Sequence, residues 1–149
     1  MADRVSLSKI PGVVAGVTES MIHDLVHAFY ARVRADALLG PIFNEAIHDW
    51  DAHLDKLCAF WSSVTLMTGR YNGTPMKVHA DLQGISGTHF DRWLEIFRET
   101  ARALCPAAAA ALFIDRAERI AQSLELGVAI HRGQILNPGE RLAYSAASG

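Results

Sequence analysis

Cysteine is scarce in this sequence. Cys58 and Cys105 are the only two among 149 residues, and no CxxC pair is present. That excludes a disulfide framework and a thiolate metal knuckle. Each cysteine falls in an apolar helical stretch, where a small buried hydrophobe is the expected role. Long apolar runs are also missing. None approaches the roughly 20 residues that span a bilayer, so no membrane partner is expected. The stretch from Ile10 to Val17 is weakly apolar, but Pro11 and Gly12 interrupt it and no strong positive region precedes it. It does not read as a signal peptide, and the expected compartment is the cytoplasm. Charge of one sign is lacking too: the formal net charge is -2. Nothing electrostatic invites a phosphate backbone, so no nucleic-acid partner is expected. A phosphate-binding glycine loop, a GxSxG elbow and an HExxH helix are all absent. There is no strand alternation and no internal repeat.

What the chain does have is helical periodicity. From Glu19 to Arg34, apolar residues stand at Met21, Ile22, Leu25, Val26, Phe29, Tyr30 and Val33, the spacing of one buried face. Thr18 is placed to cap this helix, with Glu19 favourable in its first turn. Gly40-Pro41 breaks the pattern. A second long helix is predicted from about Asp49 to Thr68. A third begins at "SGTHFDRWLEIF", with Thr88 and Asp91 as a capping-box-like pair. A fourth opens at Pro106 and runs through an alanine-rich stretch, alanine being the best helix former. The fold class is therefore all-α: four long helices and a short segment, "TPMKVHADL", that carries His79. The expected layout is a flexible extension over 1–17, a domain over 18–132 and a fraying tail over 133–149.

Chemistry must come from seven histidines, three tryptophans and three tyrosines. His23 and His27 are four apart and share a helix face. They could chelate a metal, but no third ligand has matching spacing, and a solvent-facing pair is the plainer reading. His48, His89 and His131 fall at or beyond helix ends, where solvated or capping roles are commoner. Tyr30 lies on the core side of the first helix, and a buried hydroxyl needs a partner. His53 sits near the apolar face of the second. Taken alone, Tyr30 and His53 read as side chains bonded to backbone.

Four segments in order alter that reading: "FYARVRADALLGPIF" (29–43), "HLDKLCAFW" (53–61), "YNGTPMKVH" (71–79) and "HFDRWLEIF" (89–97). Together they resemble the truncated haemoglobins, group III, over about residues 19–130. The resemblance implies a two-over-two helical sandwich around haem, a shortened globin arrangement. It implies haem b as cofactor, with His79 as the protein ligand to iron. Tyr30, His53 and Trp93 would form the distal, ligand-binding side. Phe43, Leu57 and Trp61 would pack on the haem, with Phe60 nearby. Lys77 and Arg70 are the candidate cations for the propionates, with solvated surface charge as the alternative.

The implied function is reversible binding of dioxygen or another diatomic, such as carbon monoxide or nitric oxide, in a polar pocket, with oxygen transport as one use. The alternative is a haem enzyme performing nitric oxide dioxygenation or peroxidase-like chemistry. That would require a separate reductase, because the chain has no flavin or nicotinamide domain. A haem-free helical interaction module is a third reading, but it leaves the register of Tyr30, His53, His79 and Trp93 to accident.

Overall fold

Thr18 starts the first long helix as its sequence suggests: its hydroxyl accepts the Met21 N–H at 3.1 Å. In the computed structural model, which describes residues 9–71, 73, 85–134, 136–137 and 140–142, six helices are present among the described residues. They are α1 (Pro11–Val14), α2 (Glu19–Ala35), α3 (Gly40–Ala46), α4 (Trp50–Leu66), α5 (Gly87–Leu104) and α6 (Ala107–His131). Helices α2 and α4 pack together, as do α5 and α6, and the α2–α5 contact joins the two pairs.

The periodicity of α2 is realised: Ile22, Leu25, Val26, Phe29, Tyr30 and Val33 are all buried. Asp36 then turns the chain, its carboxylate accepting the N–H groups of Leu38 and Leu39 at 3.1 and 3.0 Å. The Gly40-Pro41 break proves to be a beginning. A Cβ on Gly40 would stand 2.6 Å from the Arg34 carbonyl oxygen, so glycine lets the chain fold back at once into α3. Pro41 sits in its first turn, where a missing N–H costs nothing. This short helix delivers Phe43 to the core.

Helix α4 is capped by Asp49, whose side chain accepts the Ala52 N–H at 3.0 Å. It ends before Thr68 because Met67 adopts a left-handed conformation, φ +56°. The cap of α5 lies two residues earlier than the sequence suggests. Ser86, not Thr88, holds the position, and its N–H donates to His89 Nδ1 at 3.0 Å. Burial pushes the His89 imidazole below its usual value, which favours the neutral ring that can accept. Asp91 instead bonds Arg141 at 2.7 Å. In α6 the small residues Ala109, Ala110, Ala117 and Ala121 are buried around Phe113.

The described residues on either side of the long helices pack against them. Within residues 10–17, Ile10 and Val17 are buried, and Gly12 lies so close to the Thr65 carbonyl that no Cβ would fit. In the tail, Leu142 is buried, accepts from the Gly87 N–H at 2.8 Å and donates to Glu125 Oε2 at 2.8 Å. Arg141 forks onto the same carboxylate, its Nε donating to Oε2 at 2.9 Å and its Nη2 to Oε1 at 3.0 Å. A buried glutamate needs such partners, and here chain from beyond α6 supplies them. The two cysteines are half-buried, not fully enclosed.

Candidate functional site

Helices α2 to α6 leave between them a cavity of about 620 Å³. That is within the roughly 300–1,000 Å³ of small-molecule and cofactor pockets. Tyr30 reaches it from α2, Phe43 from α3, Trp93 from α5, and Ile120 and Leu124 from α6. Helix α4 forms the longest wall, with Ala52 and His53, Lys56 and Leu57, and Phe60 and Trp61 as adjacent pairs that recur every four residues on one face. Ile47 and the exposed His48 and Asp49 stand at the α3–α4 corner. Tyr71 closes one edge. Its N–H donates to Ser63 Oγ at 2.9 Å and its ring meets Phe60 edge-on at 5.2 Å.

The polar groups are few. Tyr30 is buried, and burial pushes its phenol up to about 12, against a smaller opposing effect from its hydrogen bond with Trp93. The phenol therefore keeps its proton at neutral pH and can donate it in a hydrogen bond. The His53 ring is edge-on to Tyr30, centroids 6.2 Å apart at 89°.

An aromatic lattice fixes these groups. Trp93 stacks on Phe97 at 5.6 Å and 17°, and Phe97 stacks on Trp61 at 5.3 Å and 19°. Phe29 stands edge-on to Tyr30, Trp93 and Phe97 at 4.7, 5.2 and 5.0 Å. Rings so interlocked have little freedom to rotate, which keeps the donors preorganised.

Of the residues singled out by sequence, Tyr30, Phe43, His53, Leu57, Trp61 and Trp93 all line this one cavity. Arg70 does not. Its guanidinium bonds Glu19 at 2.9 Å, and Glu19 also accepts from Ser62 at 2.7 Å. His79 and Lys77 lie outside the described residues. Sequence reasoning missed Ile47, Lys56, Tyr71, Ile120 and Leu124. For Lys56 a signal existed, since it stands three residues after His53 and four before Phe60. His23 and His27 stack ring on ring at 4.0 Å, and no group of three metal-ligating side chains exists among the described residues.

The lining fits haem. Phe43, Leu57, Trp61, Ile120 and Leu124 offer apolar surface to a macrocycle, the donors cluster together, and an exposed lysine stands at the rim.

Comparison with known proteins agrees. No family model matches the chain. A group 3 truncated hemoglobin, ctb, of Campylobacter jejuni is 34% identical over 113 residues, 73% of this chain and 89% of the relative. The crystal structure of a group III truncated hemoglobin from Campylobacter jejuni superposes with a TM-score of 0.69 at 36% identity, covering 72% of this chain and 88% of that one. With the helical pairs, the cavity and this identity in agreement, the chain belongs to the group III truncated haemoglobins, a family of haem globins.

Proposed function

We propose that this globin binds a diatomic ligand reversibly, dioxygen foremost, with Tyr30 and Trp93 as its hydrogen-bonding donors. The observation that carries the reading is the buried Tyr30 phenol, which together with Trp93 faces a cavity whose lining is mostly apolar. Haem b held through His79 would supply an iron with one coordination position open to a small ligand. Phe43, Leu57 and Trp61 would pack against the macrocycle. Lys56 and Lys77 would face its propionates, since Arg70 is engaged by Glu19.

The Tyr30 hydroxyl donates to a ligand that gathers negative charge, and the low-dielectric surroundings strengthen that bond. The indole N–H of Trp93, on the α5 wall of the same cavity, is the second donor. Such a pocket favours dioxygen over carbon monoxide, which gathers less charge. His53, on the α4 wall, stands where it can obstruct access or donate in turn.

Turnover is the second reading, either nitric oxide dioxygenation or peroxidase-like chemistry with electrons from a separate reductase in the cytoplasm. It is favoured by an imidazole at the same cavity, the side chain that exchanges protons near neutral pH.

Absorption spectra test the first reading. The protein is titrated with haemin, reduced with dithionite and exposed to carbon monoxide. Stoichiometric uptake, a Soret band that shifts under carbon monoxide, and loss of both in His79→Ala are expected. A chain that takes up no haem refutes both readings. Consumption of nitric oxide or peroxide over many equivalents, once a reductant is added, selects the second.

A further inference from the structure

We infer that Arg34 and Trp50 form a bracket that sets the position of His53 and so governs access to the cavity. The inference rests on the reading of His53 as a group of the ligand pocket. Trp50 opens α4 three residues before His53, and the two rings meet edge-on at 5.7 Å and 86°. The same indole lies 6.0 Å from Tyr30 at 48°. Trp50 is not itself part of the cavity wall, so it backs His53 and Tyr30 from outside. Over its ring, at 4.6 Å from the centroid, stands the guanidinium carbon of Arg34.

Arg34 is exposed in the last turn of α2, and among the described residues it forms no ion pair. Its guanidinium lies on the face of an indole, the ring that attracts a cation most strongly. The cation ties the end of α2 to the start of α4. It opposes outward rotation of Trp50, and outward rotation is the movement that would give the His53 ring room to leave its place beside Tyr30. Arg34 and Trp50 are positioning residues. They act on the ligand through His53.

The test is a mutant cycle on the full-length, haem-loaded protein, read by the association rate of carbon monoxide after flash photolysis. Arg34→Met keeps an apolar stem but removes the cation, and should raise the rate by about 2- to 5-fold, the range that loss of one exposed cation–π contact allows. Arg34→Lys, which restores a cation over the ring, should return the rate to near the parent value. In a His53→Ala background, Arg34→Met should change nothing further. As a second readout, the His53 ring-proton NMR shifts under carbon monoxide should move in Arg34→Met and stay in Arg34→Lys. An unchanged rate in Arg34→Met, an equal effect with and without His53, or a lysine variant that behaves like the methionine one would overturn the bracket. Failure of the underlying reading looks different, because the parent protein itself would then bind neither haem nor carbon monoxide.

Discussion

Tyr30 on α2 and Trp93 on α5 face one cavity and are braced by the same ring, Phe29, which stands edge-on to them at 4.7 and 5.2 Å. Two residues 63 positions apart (93 − 30) thus act as one donor assembly. Removing either member should weaken ligand retention. Tyr30→Phe and Trp93→Phe are each expected to speed oxygen release by about 5- to 150-fold, the equivalent of one lost hydrogen bond of roughly 1–3 kcal/mol. Stopped-flow release rates that stay unchanged in both variants would remove these residues from the ligand's environment.

His53 is expected to act on access more than on cofactor retention. His53→Ala should alter the carbon monoxide association rate while haem stays bound, in contrast to His79→Ala. Measuring haem transfer to an acceptor globin alongside the rate separates the two. Equal haem loss from both variants would mean that both histidines ligate iron.

Alkaline titration offers an independent look at Tyr30. Its folded-state value is raised from 10.0 to about 12, so folding favours the neutral phenol. The sign follows by linkage: this contribution is complete below pH 10 and is lost as pH rises through about 12. Urea midpoints should therefore fall less steeply across that window in Tyr30→Phe than in the parent. Parallel curves would place the Tyr30 phenol in water.

The tail should matter for stability. Arg141→Gln breaks the fork onto buried Glu125 and the bond to Asp91. Because the arginine is half exposed, a cost of about 1–3 kcal/mol is expected, below that of a fully buried pair. Truncation after residue 139 should cost more, since it also removes the buried Leu142. Chemical denaturation of both variants checks the order, and wild-type stability in the truncated chain would refute it.

The helices were legible wherever one face repeats cleanly, as α2 shows from Ile22 to Val33. The donor residues were legible through family register: nothing in the spacing of Tyr30 alone says that a tryptophan 63 positions on will share its cavity. Long-range pairing decided what could not be read. Arg70 looks like a free cation until Glu19, 51 residues away, is seen beside it. The α5 cap was misplaced because a histidine does the work expected of a glutamate, and Asp91 is drawn off by Arg141. Ile120 and Leu124 sit on the same helix as the core stripe of α6, and sequence does not distinguish a residue facing a neighbour from one facing a cavity.

The aromatic lattice has an optical consequence. The chain has three tryptophans: Trp61 and Trp93 form cavity wall, and Trp50 stands directly behind it. None is a bystander. Intrinsic fluorescence is therefore a built-in gauge of the site, and a bound tetrapyrrole should extinguish nearly all of it. Any emission that survives saturation with haemin counts molecules whose cavity never filled.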